Sequence, residues 1–576
     1  MNLKGENVRG RSLKFALLLF ALALALAAVG CGGGDEGGGQ ATGGGTETSE
    51  GAAGGTLVFG AAADPVVLDG ALVSDGESLR VITQLFETLV FLKPGTTEPV
   101  PGLAESWESD AAGTTWTFKL KQGVKFHDGT DFNAEAVCFN FDRWYNFKGS
   151  FQNSSASYYW QVVFGGFATQ DNPDVPKESL YKSCEATDAS TAVINLTKPS
   201  ATFIPALAQQ SFGIASPKAL QEFKADEGNV DEEGIFHPTG TFGTEHPVGT
   251  GPFQFESWTR GDKLTLTRFD DYWGEKAKLD SVIFRPIPDN AARLQALQTG
   301  EIQGYDLVEP QDIPTIEGDE NLQVLDRPAF NVAYVGINQA IPPMDKLEVR
   351  QAIAYGLNRQ EVVDSFYAGR GEVAKEFMPP EVVGYADDVT EYTFDPDKSK
   401  QLLQDAGLSL PVKITFWYPS DVSRPYMPDP KRNFEAFKTS LEQSGFKVTS
   451  KTAPWSPDYL GNVDEGKTQV YLLGWTGDYG DADNFIGTFF QSPQKAWGTT
   501  KFPNKEVTDL LNEGERETDE SKREAIYQDA NRAIMDWLPG VPYAHSKPAL
   551  AFAANVKGYI PSPTTNELFS TVSIEG

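Results

Sequence analysis

Four histidines and three cysteines in 576 residues leave little for transition-metal or thiol chemistry. His127, His237, His246 and His545 are scattered, and neither His-Glu-x-x-His, Cys-x-x-Cys nor Gly-x-Ser-x-Gly occurs. A zinc hydrolase would have no visible ligand set and a serine hydrolase no nucleophile elbow, while a metal site built only from carboxylates stays open. His127 reads as a turn residue after a strand, and His545 as a hinge or core polar residue. Basic residues are scarce too: 48 face 80 acidic ones, a net charge of −32, which sets nucleic acid and anionic membrane surfaces aside as partners. Long apolar runs are missing but for Phe15 to Val29, which is shorter than the roughly 20 residues of a membrane span.

That run follows Lys4, Arg9, Arg11 and Lys14 and ends at Ala28-Val-Gly-Cys31, the layout of a secretory signal over residues 1–30. The ending resembles a bacterial lipoprotein box, with alanine where leucine is more usual, so lipidation of Cys31 is expected. Residues 31–55 are then a lipidated cysteine and a tether almost wholly of Gly, Thr, Glu, Ser and Ala, too poor in apolar surface to offset chain entropy. Only Cys138 and Cys184 remain, an even pair in an exported chain, either bridged or left as two buried thiols. A bridge closing that loop would stabilise by roughly 4 kcal/mol in the chain-entropy model.

From Thr56 onward the chain is too long for one core, and two or three lobes are expected. Alternation predicts strands at Thr115 to Leu120, Ala192 to Leu196 and Lys263 to Phe269. Helical periodicity predicts helices from Asn133, whose side chain caps a run with Val137, Phe141 and Trp144 on one face, at Ala291 to Thr299, and at Leu347 to Leu357. Asn358 with Glu361 restarts a helix toward Phe366. The fold class is α/β.

The most informative stretch is Leu473-Gly-Trp-Thr-Gly-Asp-Tyr-Gly-Asp-Ala-Asp-Asn-Phe485. A short apolar run, Gln469 to Leu473, predicts a buried strand, and Gly474 and Gly477 are expected to turn the backbone beside Trp475. Asp478 would then sit at a strand's carboxyl end, where α/β sheets hold ligands, in a site suited to a cation. Asp483 reads as a helix N-cap before Asn484-Phe485-Ile486. The spacing of Asp478, Asp481 and Asp483 does not fit an EF-hand loop. Gly461-Asn-Val-Asp-Glu-Gly-Lys-Thr468 satisfies the Walker A pattern but precedes a strand rather than opening a helix, and Asp464 and Glu465 would repel phosphate. A second candidate is Arg424 in Ser423-Arg-Pro-Tyr426, whose planar fork suits a carboxylate and whose backbone Pro425 restricts.

This stretch resembles the peptide-binding subunits of bacterial ABC importers, solute-binding family 5, closest to the dipeptide-binding group. The likeness runs from Thr56 to Glu575 through Val100-Pro-Gly-Leu-Ala-Glu-Ser-Trp107, Val124-Lys-Phe-His-Asp-Gly-Thr130, Asp271-Tyr-Trp-Gly274 and Val556-Lys-Gly-Tyr559. The resemblance implies a two-lobed, three-domain periplasmic-binding-protein fold with hinged closure. Its domain I would comprise 56–92, 246–325 and 546–576, domain II the insert 93–245, and domain III 326–545. It implies that Asp478 pairs with a peptide's amino terminus and Arg424 with its carboxylate, and Trp475, Tyr334, Ser74 and Gly76 are weaker candidates for pocket walls and backbone contacts. A lipid-anchored, monomeric, extracytoplasmic receptor is expected, without cofactor or metal, that hands short peptides to an ABC permease. A nickel complex, haem or an opine-like conjugate is the rival ligand within the fold, and a peptide-processing enzyme the rival outside it. The chain departs from the family at Phe147 to Lys182, longer and richer in aromatics, and at the acidic stretch Asp226 to Glu245.

Overall fold

The computed structural model describes residues 54–230 and 236–576. The leader, Cys31 and all but the last two residues of the tether expected at 31–55 lie outside the described residues, as does part of the acidic stretch. No helix of the described residues is long and apolar enough to cross a membrane.

Three sheets carry the architecture. The first has seven strands in the order Phe253–Thr259, Lys263–Arg268, Ser281–Pro286, Thr56–Ala61, Gly304–Tyr305, Ala549–Ala553 and Leu322–Asp326. Thr56–Ala61 lies parallel to its neighbours Ser281–Pro286 and Gly304–Tyr305, so one sheet is assembled from three distant stretches of chain. The second is an antiparallel sheet of Ala104–Ser109, Thr115–Leu120, Thr191–Leu196 and Tyr181–Asp188. The helix Ala134–Tyr145 covers it, with Asn133 accepting from the Ala136 amide at 2.9 Å and Val137, Phe141 and Trp144 buried. Cys138 on that helix is disulfide-bonded to Cys184 on Tyr181–Asp188. One continuous apolar core joins these two sheets.

The third sheet has six strands, Gly371–Glu372, Gly540–Ser546, Asn331–Ile337, Val470–Thr476, Val412–Pro419 and Phe446–Ala453, around a core of its own. The molecule is thus two-lobed. The chain crosses between the lobes near Arg327, whose amide donates to Pro548 O at 2.9 Å, and near His545, whose Nδ1 lies 2.7 Å from Asn331 O. Helix boundaries follow capping chemistry. Asp289 caps Asn290–Gln298 by accepting from Ala292, and Gly300, at φ +75°, closes its end. Asn358 caps Arg359–Phe366 by accepting from the Glu361 amide, and its Nδ2 donates to the Glu361 carboxylate at 2.8 Å.

A buried ion cluster ties four distant segments of the first lobe together. Asp306 accepts from Arg80 and from Arg327, each at 2.6 Å, and Glu567 accepts from Arg327 at 2.6 Å. The Walker-like residues 461–468 form the end of helix Leu460–Asp464 and a turn at Gly466, φ +71°, into the strand Val470–Thr476, so no helix amino terminus faces them.

Candidate functional site

Val470–Thr476 pairs antiparallel with Asn331–Ile337 and parallel with Val412–Pro419, which in turn lies parallel to Phe446–Ala453. Three adjacent strands therefore point their carboxyl ends the same way. Asp478, Arg424 and Trp455 each follow one of those ends, the position at which α/β sheets present ligand groups. Sheet order thus places Asp478 and Arg424, 54 positions apart in sequence, beyond the same edge of one sheet.

Asp478 is fixed from both sides. Its amide donates to Asn484 Oδ1 at 2.6 Å, Asn484 Nδ2 donates back to Oδ2 at 3.3 Å, and the Tyr159 hydroxyl donates to Oδ1 at 3.3 Å. Among the described residues no basic side chain pairs with it. Burial pushes its carboxyl up to about 6, against the opposing hydrogen bonds from Asn484 and Tyr159. Trp475 reaches the same asparagine, Nε1 donating to Oδ1 at 3.4 Å, and meets Phe489 edge-on. Gly474 and Gly477 serve a purpose other than the sharp turn expected of them, since neither has positive φ. A Cβ on Gly474 would stand 2.3 Å from the Tyr426 ring, and one on Gly477 2.2 Å from Phe330, so both are glycine for close packing.

Arg424 sits in a tight turn in which its amide donates to Met427 O at 3.1 Å and its carbonyl accepts from the Met427 amide at 2.9 Å. Its guanidinium carbon lies 4.3 Å from the centre of the Trp455 ring. Burial lowers its pKa, and its Nε is buried with no acceptor. Arg350 and Arg359 also lack acidic partners, but each donates to three backbone carbonyls. Arg424 differs from them as a cation with an unmet hydrogen-bonding need.

Ser74 and Gly76 are exposed at the start of helix Gly76–Leu85, where Asp75 caps by accepting from Ser78 at 2.9 Å. This loop lies close enough to Tyr159 for the Asp75 charge to act on its hydroxyl, which burial and then Asp478 hold well above the usual tyrosine range. Tyr334 is placed beneath the site in the second lobe's core, 3% exposed and packed on Phe377, Phe489 and Trp497, rather than on an open surface.

Asp483 does not make the cap expected of it: helix Ile486–Phe490 has no side-chain cap, and Asp481 caps the 3-10 turn Ala482–Asn484 before it, accepting from the Asp483 amide at 2.9 Å and holding Arg523 through two bonds of 2.5 and 2.7 Å. Asp483 Oδ1 is instead buried without a donor, and burial, with Asp481 and Glu515 nearby, raises its carboxyl to about 7. No cluster of three or more metal-ligating side chains occurs among the described residues.

Tyr159, Asn484 and Trp455 belong to the site and were not singled out from the sequence. Asn484 lay inside the informative stretch but read as helix start. Tyr159 lay in the aromatic-rich segment that departs from the family, yet nothing local points it at a carboxylate 319 residues away. It comes from the first lobe, so the two lobes meet over Asp478. They meet again where Lys198 pairs with Glu515 at 2.8 Å and the Ala201 amide donates to Glu515 O at 3.2 Å.

Comparison with known proteins identifies the family and the fold. The sequence model of bacterial extracellular solute-binding proteins, family 5 Middle, matches residues 98–497. The dipeptide-binding protein of Escherichia coli K12 is 33% identical over 90% of this chain and 95% of its own length. Heme-binding protein A of Haemophilus influenzae is 31% identical over 90% of this chain and 92% of its own length. The periplasmic binding protein DppA from Helicobacter pylori, solved in complex with the peptide STSA, superposes with a TM-score of 0.75 at 28% identity, covering 91% of this chain and 99% of that one. The chain belongs to family 5 of the bacterial extracellular solute-binding proteins, a family of transport receptors rather than enzymes.

Proposed function

We propose that this protein is the lipid-anchored, extracytoplasmic receptor of an ABC importer, capturing short peptides and delivering them to its permease. The observation that carries the reading is a pair of half-buried opposite charges, Asp478 and Arg424, at the carboxyl ends of adjacent parallel strands, neither with an opposite charge of its own. Charges held away from water are costly unless paired. A zwitterion supplies both partners at once, since a dipeptide's ammonium and carboxylate lie about 5 to 7 Å apart on the scale of two residues' reach. The dipeptide-binding and STSA-binding relatives support a peptide, whereas a haem-binding relative at nearly the same identity keeps a haem-like ligand as the rival. A haem's paired propionates would satisfy Arg424 but repel Asp478. Titration calorimetry with Ala-Ala against haem decides between them.

The division into domain I (56–92, 246–325, 546–576), an inserted domain II (93–245) and domain III (326–545) belongs to the same proposal, as does a monomeric state. So does the anchor. Cys31→Ser is expected to abolish incorporation of labelled fatty acid, and label retained in that variant would place the anchor elsewhere.

Two further results are expected. Because burial lifts the free Asp478 carboxyl to about 6, an ammonium ligand must displace a proton at lower pH. Affinity should be level above about pH 7 and weaken roughly tenfold per pH unit below 6. Titrations from pH 8 to 5 check it, and a flat profile would remove Asp478 from the ligand contact. Ligand entry must also part the lobes at Tyr159 and Glu515, and closure is stabilised by a ligand touching both. Small-angle scattering should show a smaller radius of gyration at saturating peptide, and an unchanged profile would indicate a preformed open groove.

A further inference from the structure

The first lobe reaches the second at other points than Tyr159. The turn between Val90–Leu92 and Pro99–Pro101 brings Thr97 down on Gly480, in the loop that follows Asp478. A Cβ at Gly480 would stand 2.6 Å from Thr97 Cβ, a separation that real Cβ atoms do not adopt, and 3.1 Å from Thr97 O. Gly480 does not hold a positive φ, so the neighbour across the lobe junction, not the loop's own backbone, requires glycine there. The turn is itself pinned, the Lys93 amide donating to Glu98 O at 2.9 Å and the Thr96 amide to Lys93 O at 3.0 Å. Once the lobes part, the conflict at position 480 no longer exists.

A second point is charged. Glu515, in the last turn of helix Lys505–Arg516, accepts from Lys198 Nζ at 2.8 Å through Oε1 and from Gln491 Nε2 at 2.9 Å through Oε2. Its carbonyl accepts from the Ala201 amide at 3.2 Å. Gln491 belongs to the same lobe as Glu515, so the carboxylate is already oriented when Lys198 arrives. Both points are joined to the ligand residue. Arg523 grips Asp481, next to Gly480, through both carboxylate oxygens, and its Nε donates at 2.8 Å to the carbonyl of Gly514, the residue before Glu515. One guanidinium therefore braces the loop carrying Asp478 and Gly480 to the helix end carrying Glu515.

We infer that Gly480 and the Lys198–Glu515 pair are positioning residues of ligand capture: without touching the ligand, they latch the lobes over Asp478 and set how long it stays bound. This rests on the peptide reading above and deepens it, by naming the groups that hold the closed form. A ligand at Asp478 and the latch at Glu515 load the same braced unit, so each favours the other. The latch acts on release rather than encounter, because it forms only as the ligand is enclosed. Lys198 is 44% exposed and Glu515 15%, so the pair is partly screened and its share is modest, whereas the fit at Gly480 is steric and unscreened.

The test is calorimetry and stopped-flow dissociation of Ala-Ala from the intact protein and from Gly480→Val, Lys198→Glu and the swapped pair Lys198→Glu with Glu515→Lys. Gly480→Val should weaken Ala-Ala roughly tenfold or more, chiefly through faster dissociation. Its melting profile should match the wild type, and its radius of gyration at saturating Ala-Ala should stay at the ligand-free value. Lys198→Glu should speed dissociation about fivefold, and the swapped pair should restore it to within about twofold. Wild-type affinity in Gly480→Val, or wild-type dissociation in Lys198→Glu, overturns the inference while the peptide reading stands. If Ala-Ala does not bind the unaltered protein, the peptide reading fails, and coupling of the ligand-free protein with a zero-length carbodiimide still decides the latch. An amide between Lys198 and Glu515 in the peptide map upholds it, and its absence overturns it.

Discussion

Asp478→Ala is expected to abolish dipeptide binding while leaving the protein folded. The carboxylate contributes nothing to the packed core that a smaller side chain would collapse, because its partners are a hydroxyl and an amide at the lobe junction. Its loss would strand the peptide's ammonium between closed lobes without compensation. Removing one partner of a buried charge pair typically costs about 3 to 5 kcal/mol, or roughly two to four orders of magnitude in affinity. Arg424→Ala should cost a dipeptide a similar amount, because the stacked guanidinium has no acceptor of its own to fall back on. Chemistry on the ligand should reproduce the mutations, an N-acetylated dipeptide failing at Asp478 and an amidated one at Arg424. Titration calorimetry with free, acetylated and amidated Ala-Ala reads all of this, and a unique partner for each charge predicts that each modification hurts one variant no further. Full binding of acetylated Ala-Ala to the unmodified protein would take Asp478 out of the site.

The second large effect is on stability. Asp306→Ala would leave Arg80, 5% exposed, with Glu77 at 3.5 Å and Glu567 at 3.7 Å, and Arg327, 2% exposed, with Glu567 alone at 2.6 Å. Removing one partner from a buried ion cluster destabilises by up to about 3 to 5 kcal/mol. Burial alone would raise the Asp306 carboxyl, but Arg327 and Arg80 outweigh it and hold it well below the usual carboxylate range. The sign follows: a lowered folded-state pKa gives stability that is present above the unfolded value, near pH 4, and is lost as pH falls below it. Thermal unfolding of the wild type and of Asp306→Ala at pH 7 should therefore differ by several degrees, with the difference shrinking in strong acid. Two lobes with separate cores invite two transitions, and the one that belongs to the first lobe should move, since Arg80, Asp306 and Glu567 lie there and Arg327 lies at the crossing. An unchanged melting profile would mean that the cluster is as costly to bury as it is favourable to pair.

The informative stretch was legible because it is local. An apolar run of strand length, glycines and an aromatic before an aspartate described Val470–Thr476 and the emergence of Asp478 at its end without reference to any other part of the chain. Helices at Ala134–Tyr145, Asn290–Gln298 and Arg359–Phe366 were legible for the same reason, because a cap and an apolar stripe lie within a few residues of each other. Local signals also misled where two acids competed. Asp481 and Asp483 are equally good caps by composition, but Asp481 caps the 3-10 turn Ala482–Asn484 while pairing with Arg523 from a helix 42 residues on, and helix Ile486–Phe490 goes without a side-chain cap. The reading of Gly474 and Gly477 failed in the same way, since Tyr426 and Phe330, not the backbone of the loop, demand them.

By itself the sequence determined the α/β class and several elements with their caps, and it singled out Asp478 and Arg424 as candidates, because periodicity, capping and buried strand ends are encoded within a dozen residues. Tertiary structure alone decided that Asp478 and Arg424 emerge from neighbouring parallel strands, and that Tyr159 closes over one and Trp455 stacks on the other. Those choices depend on strand order and on two crossings of the chain between lobes. No spacing of residues along the chain encodes them, since each is settled by which surfaces bury the most apolar area and leave the fewest charges unpaired.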